Sequence, residues 1–296
     1  MMLSKINLRA YGKINLGLDV VRKREDGYHE VRMIMQTVSV YDTLELTVQD
    51  RPGISVKTNL PYLPVNGDNL VYKAADLLMK EFNLKKGIKI ELKKYIPVAA
   101  GMAGGSSDAA AVLYGVNKMF SLGLTKEELM KRGVRMGADI PYCIMRGTAL
   151  SEGIGEILTP LRPMPECKIL IAKPSVSVST KFVYENLRAN ELTRHPDIDG
   201  MAAAIERQDL QGIADRMENV LETVTIPAYP VIEEIKDFMK EHGALNSLMS
   251  GSGPTVFGLY DSEEIITAAA SALKKTGLAK QIYMAEPVPA VQYSRK

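Results

Sequence analysis

The sequence predicts an α+β fold in two domains, and three observations carry that expectation. The first portion of the chain alternates apolar and polar residues at period two. The last portion repeats apolar residues at helical spacing. Between them, Leu158 to Glu166 holds Pro160, Pro163 and Pro165, which interrupt both periods. A boundary there divides the chain into 1–160 and 161–296. With 296 residues, each part has enough material for a core. A two-part chain of this kind usually places its ligand in the groove between its domains.

The elements follow in order. Ser4 to Ala10 alternates through Ile6 and Leu8, and Ile14, Leu16, Leu18 and Val20 continue the period. Thr43 to Val48 and Ile88 to Leu92 read as further strands with one buried face. From Asn69 to Phe82 the period changes: Leu70, Ala74, Leu77, Leu78 and Phe82 share a helical face. Asp108 to Met119 reads as a helix. Thr125 and Glu128 form a capping box that opens a helix from Lys126 to Met136, closed by Gly137. In the second part, Lys168 to Ala172 is a strand. Helices are expected over 181–187, 201–206, 210–221 and 231–242, the last preceded by Pro230. Met249 to Pro254 is a Gly/Ser turn, and Thr255 to Tyr260 is strand-like. Asp261 and Glu264 are expected to cap a helix that runs to about Lys275, before a last strand over 281–285.

Composition narrows the function. Apolar residues make up 46% and charged residues 24%, a globular balance. A net charge of +2 provides no general attraction for nucleic acid, and Lys85-Lys86 and Lys93-Lys94 read as solvated faces. Cys143 and Cys167 sit among apolar residues, as buried thiols in a reducing cytoplasm do. Three histidines and two isolated cysteines provide no zinc spacing. The first residues lack the apolar centre of a signal peptide, and no apolar run has the length of a membrane span. A cytoplasmic protein with neither membrane nor nucleic-acid partner is expected; oligomeric state is not legible.

The densest signal is Pro97-Val98-Ala99-Ala100-Gly101-Met102-Ala103-Gly104-Gly105-Ser106-Ser107, running into a helix. Small residues let a ligand approach the backbone closely. The free N–H groups and dipole at a helix start favour phosphate. Neither the P-loop spacing nor the dinucleotide fingerprint is present, so this loop alone also fits a plain connection. Lys13 and Asn15 share the strand face opposite Ile14, Leu16 and Leu18. Solvent is the ordinary environment of such a face. Gly12 and Gly17 instead suggest close approach by another group. Asp139, in Gly137-Ala-Asp-Ile-Pro141, fits a turn or a carboxylate held between a helix end and a proline. Asp26-Gly-Tyr-His-Glu30 reads as a turn presenting Tyr28 and His29, either as cover for the core edge or as a platform for a planar base. Ser250-Gly-Ser-Gly-Pro-Thr255 fits a tight turn or a nest of N–H groups for an anion.

Taken in order, Ala10-Tyr-Gly-Lys-Ile-Asn-Leu-Gly-Leu18, Pro97 to Ala111, and Met249-Ser-Gly-Ser-Gly-Pro-Thr-Val-Phe257 resemble the GHMP kinase superfamily across nearly the whole chain. The resemblance implies a two-domain fold with ATP and substrate in the inter-domain cleft. Arg24-Glu-Asp-Gly-Tyr-His-Glu-Val31 with Met35-Gln36, Gly137-Ala-Asp-Ile-Pro141, and Glu152-Gly-Ile-Gly-Glu-Ile-Leu-Thr-Pro160 look like a particular branch. That branch phosphorylates the 2-hydroxyl of a cytidine diphosphate derivative of methylerythritol, in non-mevalonate isoprenoid precursor synthesis. The resemblance places catalysis on Lys13 and Asp139 and sets Asn15 beside the acceptor alcohol. Tyr28, His29 and Tyr184 hold the cytidine. The loop from Pro97 through Ser107 takes the ATP phosphates, and the adenine lies near Asn69 and Leu70. Mg²⁺ accompanies ATP within reach of Ser106 or Ser107, with no dedicated protein cage. Two departures stand out. Ala99, Ala100 and Ala103 replace glycines common in relatives, and alanine tolerates positive φ poorly. Met35 replaces an aromatic found in some relatives, which implies less complete stacking of the base. A kinase for another small alcohol, such as homoserine, is the nearest alternative. A non-catalytic binding module on this fold is the other.

Overall fold

Alternation near the N-terminus becomes two long strands, β1 over Lys5–Lys23 and β2 over His29–Gln49, which pair with one another. Typical strands run to about ten residues. The structure, a computed structural model, describes residues 3–290. They fall into two compact units, each discontinuous in sequence. The first holds the chain up to Gly12 with 40–98 and 103–145; the second holds 13–39, 99–102 and the chain from Arg146 on. A single cut at 160 is a different partition, because β1 and β2 are long enough for each to serve both units. We retain 1–160 and 161–296 as a proposed division by order along the sequence.

In the first unit, the C-terminal half of β2 pairs antiparallel with β4 (Gly87–Lys93), from Thr43 opposite Lys93 to Gln49 opposite Gly87. β3 (Ile54–Thr58) lies parallel on the far side of β4. Leu44, Leu46, Ile88 and Ile90 point inward and are buried. Each such side chain contributes roughly 1.5–3 kcal/mol of hydrophobic stabilisation. Four helices pack here: α1 (Leu70–Glu81), α2 (Gly104–Met119), α3 (Lys126–Gly133) and α4 (Asp139–Met145). α1 buries Val71, Ala74, Ala75, Leu78 and Met79. Ala74 and Leu78 belong to the expected stripe, while Leu70, Leu77 and Phe82 are only half-buried, so the buried face is turned from the one the periodicity predicts. Gly115 lets α2 approach the strands, since a Cβ there would lie 2.8 Å from both Leu46 and Leu8.

Two boundaries differ from expectation. α2 begins at Gly104, before Asp108. α3 has both halves of the Thr125–Glu128 capping box but ends at Gly133, short of Met136. A Cβ on Gly133 would lie 2.6 Å from Ile140 Cγ2, so α4 packs against the end of α3 and the chain turns there.

In the second unit, the N-terminal half of β2 pairs antiparallel with β5 (Thr148–Gly153), which pairs with β6 (Ile157–Pro160). A separate antiparallel sheet has the order β10-β7-β9-β8, formed by β7 (Lys168–Lys173), β8 (Asn246–Met249), β9 (Val256–Tyr260) and β10 (Gln281–Ala285). Its helices are α5 (Thr180–Asn186), α6 (Ile198–Glu206), α7 (Leu210–Ala214), α8 (Glu222–Ala228), α9 (Val231–Glu241) and α10 (Glu263–Thr276). α9 packs on β8 and β9, and α10 on β7 and β10.

The helix expected over 210–221 stops at Ala214. Leu18 of β1 receives a hydrogen bond from Val220 N at 3.0 Å and donates to Glu218 O at 2.9 Å, which draws this backbone alongside β1. Ser262 caps α10 in place of Asp261, accepting from Ile265 N. The first half of β2, with β3, β5, β6 and β8, carries too short or too mixed an alternation to be read as strand. Both cysteines are buried and unbridged, and burial pushes the Cys167 thiol up to about 12.

Candidate functional site

The polar face of β1 carries Lys13 and Asn15, two candidate site residues of the second unit. Residues 13, 15, 17 and 19 project to one side by the two-residue period. That face is not solvated: Lys13 is 5% exposed and Asn15 fully buried. Lys13 Nζ donates to Asn15 Oδ1 at 2.7 Å, and Asn15 Nδ2 donates to Met33 Sδ at 3.1 Å. Gly17 makes room for α6, since a Cβ would lie 3.0 Å from Ile198 Cδ1. Asp19, further along, is paired with His195 Nδ1 at 2.9 Å.

The third of the family segments, Met249 to Phe257 (motif three), closes against this face and against the crown of the Gly-rich loop, residues 99–102. Lys13 N donates to Met102 O at 3.1 Å, and Ser250 Oγ donates to Gly101 O at 2.9 Å. A Cβ on Gly251 would lie 3.4 Å from Gly101 Cα and 3.6 Å from Asn15 Oδ1. Asn219 holds the turn from behind, its amide donating to Met249 O and Gly251 O at 2.8 Å each. The side chains of Ala100 and Met102 are buried, so this part of the loop offers a ligand its backbone.

In the first unit the loop runs into α2. Ala103, at φ 52°, takes the N-cap position without a side-chain cap. The N–H groups that open α2 are therefore left without a side-chain acceptor, which is what an anion requires. Gly104 is packed from behind: a Cβ would lie 3.0 Å from Ile96 Cγ2 and 3.2 Å from Lys94 Nζ. Gly105 is exposed, with Leu70 Cδ1 3.5 Å from its ideal Cβ. Ser107 is buried and donates to Tyr11 O at 2.6 Å; Ser106 is half-buried, with its Oγ 3.9 Å from an ideal Cβ on Gly137. Pro97 is buried and Val98 half-buried. Asn69 caps α1, accepting from Val71 N at 3.0 Å and donating to Pro64 O at 2.7 Å. Asp139 opens α4 and is half-buried.

The turn before β2 forms as expected. Tyr28 N donates to Asp26 Oδ1 at 3.1 Å, Gly27 sits at φ 85°, and Tyr28 is 60% exposed. Tyr184 on α5 meets His29, the ring centroids 5.0 Å apart and tilted by 44°. Burial, with Lys23 adding to it, lowers the His29 pKa. Met35 is fully buried and belongs to the core.

Two groups of residues escaped the sequence reading. Lys94 was expected to be solvated and is instead buried, ion-paired to Asp42 and Asp108. The signal was available: Ile88, Ile90 and Leu92 point inward, and Lys94 continues their period. Asn219 had no signal, because it lies in a stretch read as helix.

Residues 69–147 match the GHMP kinases N terminal domain, and residues 201–279 match the GHMP kinases C terminal domain. The chain belongs to the GHMP kinase family and is an ATP-dependent kinase. It is 56% identical over 284 residues to the 4-diphosphocytidyl-2-C-methyl-D-erythritol kinase of Lachnospira eligens, covering 96% of this chain and 99% of that one. It is also 56% identical over 279 residues to the enzyme of that name from Lachnoclostridium phytofermentans, covering 94% and 96%. A crystal structure of 4-(cytidine 5'-diphospho)-2C-methyl-D-erythritol kinase superposes with a TM-score of 0.81 at 30% identity, covering 95% and 99%. Among the described residues, no helix is long and apolar enough to cross a membrane.

Proposed function

We propose that this kinase transfers the γ-phosphoryl group of ATP to the 2-hydroxyl of 4-diphosphocytidyl-2-C-methyl-D-erythritol, in the cytoplasm. The observation that carries the reading is 56% identity over 96% of the chain to a relative so named. The loop 97–107 supports it with a backbone-lined path into an uncapped helix start.

In this reaction the acceptor O–H bond breaks, a new O–P bond forms, and the bond between the γ-phosphorus and the bridging oxygen of ADP breaks. The transition state disperses negative charge, so alignment and electrostatics dominate catalysis. Asp139 takes the hydroxyl proton. Lys13 supplies positive charge to the developing alkoxide, and Asn15 orients the ammonium through their 2.7 Å bond. The N–H groups of the loop and the start of α2 hold the phosphates. Leu70 and Asn69 border the adenine, Asn69 through its place at the start of α1. Tyr28, His29 and Tyr184 recognise the cytosine.

Among the described residues no group of three His, Cys, Asp or Glu could hold a metal. Ser106 fits as a single oxygen ligand for a Mg²⁺ ion carried in by phosphate oxygens, while the Ser107 hydroxyl already donates to Tyr11 O. When bound, the ion neutralises phosphate charge.

The test is ATP-dependent phosphorylation of a panel of alcohols: the cytidine diphosphate derivative, free methylerythritol and homoserine. Turnover confined to the first supports the reading. Comparable turnover of homoserine or free methylerythritol refutes it.

A further inference from the structure

Beneath the start of α2 lies an ionic cluster that the reaction scheme does not use. Lys94 Nζ is bonded to Asp42 Oδ2 and, at 2.5 Å, to Asp108 Oδ2. All three side chains are at most 4% exposed. Asp42 comes from β2, Lys94 follows β4, and Asp108 lies in the second turn of α2. The cluster therefore ties two strands to the helix whose first N–H groups face the phosphates. The same lysine packs 3.2 Å from an ideal Cβ on Gly104.

Fully ionised, two carboxylates and one ammonium leave a net negative charge, and a buried unpaired charge is costly. Among the described residues, the charged groups that act on Asp108 are Lys94 and Asp42. The two carboxyls differ in their partners. Asp42 is well supplied as a carboxylate, accepting from Lys94 and from the backbone N–H groups of Tyr95 and of Ile96, the latter at 2.9 Å. Asp108 Oδ2 accepts from Lys94, while its Oδ1 is buried with no partner, which leaves Oδ1 free to carry a proton. Burial raises the Asp108 pKa; Lys94 opposes the rise and Asp42 adds to it.

We propose that Lys94, Asp42 and an un-ionised Asp108 form a charge-neutral clamp that positions the start of α2 for the phosphates of ATP. Neutrality matters because a net negative charge beneath the helix N-terminus would oppose phosphate binding. The inference rests on the reading that loop 97–107 receives ATP. Its residues are positioning residues, since they act through α2 and the loop rather than on the reacting atoms.

The experiment combines spectroscopy with kinetics on the full-length enzyme. Carbon-13 NMR of aspartate-labelled protein at neutral pH is expected to show one un-ionised side-chain carboxyl, absent from Asp108→Asn. Asp108→Asn keeps the shape of a neutral acid, so both KM values should stay within about twofold, a difference small beside the tenfold that 1.4 kcal/mol represents. Lys94→Met leaves the Asp42 carboxylate without its counter-ion; it should raise the KM for ATP about tenfold, with the KM for the alcohol unchanged and partial rescue by Lys94→Arg. Three outcomes each overturn the clamp: no un-ionised carboxyl at Asp108 in the wild type; a large rise in the ATP KM for Asp108→Asn; or an unchanged ATP KM in folded Lys94→Met. The spectrum decides if Lys94→Met does not fold. Gly104→Val separates the underlying reading. If it leaves ATP binding intact, the loop assignment is wrong; if it abolishes ATP binding while folded Lys94→Met binds normally, the clamp alone is wrong.

Discussion

The Ser250 hydroxyl donates a 2.9 Å hydrogen bond to the carbonyl of Gly101, and an ideal Cβ on Gly101 would lie 2.0 Å from the Ser250 carbonyl oxygen. Motif three and the crown of the Gly-rich loop are thus fitted backbone to backbone. The same crown receives Lys13 N on Met102 O, so its path bears on the strand that carries Lys13 as well.

Gly101→Ala must therefore displace backbone, and it also places a side chain at φ 77°. It should raise the KM for ATP by about tenfold or more and lower the melting temperature, since such a position costs roughly 1–3 kcal/mol. Gly105→Ala is the contrast: its Cβ meets Leu70 Cδ1 at an ordinary 3.5 Å, so stability should change little. Parallel thermal melts and ATP titrations check the pair; equal effects of the two substitutions contradict it.

The alanines of the loop yield a prediction of opposite sign. Ala99 and Ala103 adopt φ of 50° and 52°, the left-handed region. That conformation costs an L-residue roughly 1–2 kcal/mol, while glycine adds about 0.4–1 kcal/mol of unfolded-state entropy. The difference favours glycine, so Ala99→Gly and Ala103→Gly should each stabilise the enzyme by about 0.5–1 kcal/mol. Ala100, with no positive φ, should lose stability on the same change. Denaturant unfolding of the three variants measures this directly.

Asp139→Asn retains size at the start of α4 and removes the proposed proton acceptor. The kcat should fall by about two to four orders of magnitude, with both KM values and the fold little changed. A folded variant with near-normal kcat removes Asp139 from the chemistry.

Recognition of the base should appear as an asymmetry between ligands. Loss of one stacked ring costs roughly 1–3 kcal/mol, so Tyr28→Ala or Tyr184→Ala should weaken CDP binding by about one to two decades while an ATP analogue binds normally. Parallel losses for both ligands would instead indicate packing at the domain edge. Because the folded pKa of His29 is lowered, the unfolded chain takes up its proton first as pH falls. Stability should decline as pH drops from the unfolded value of about 6.5 toward the lower folded value, and His29→Gln should remove that part of the slope. Urea unfolding between neutral and mildly acidic pH tests the sign.

Much of the fold was legible wherever one face of an element is buried and the other is not. The period of α1, the alternation of β4 and the capping box of α3 are local signals, and each element starts within one residue of the expected position. Elements failed to be legible where a distant partner overrides local preference. Residues 215–221 have helical composition, yet Glu218 and Val220 bond to Leu18 of β1 and leave the helix. α3 stops at Gly133 because Ile140 packs there, not because of a local stop signal.

For this protein the sequence by itself determined the residue types, their order and the family: Lys13, the 97–107 loop, Asp139 and motif three are contiguous signals that need no partner to be read. Tertiary structure alone decided what the other face of β1 meets. Alternation says that Lys13 and Asn15 share a side, but only packing makes that side interior and bonds the ammonium to the amide. It also decided that Lys94 is buried between two carboxylates, and that Asn219 braces a turn some thirty residues further along the chain. The physical reason is common to these cases. Local periodicity reports which residues point the same way, whereas burial and ion pairing depend on what the rest of the chain brings to that face.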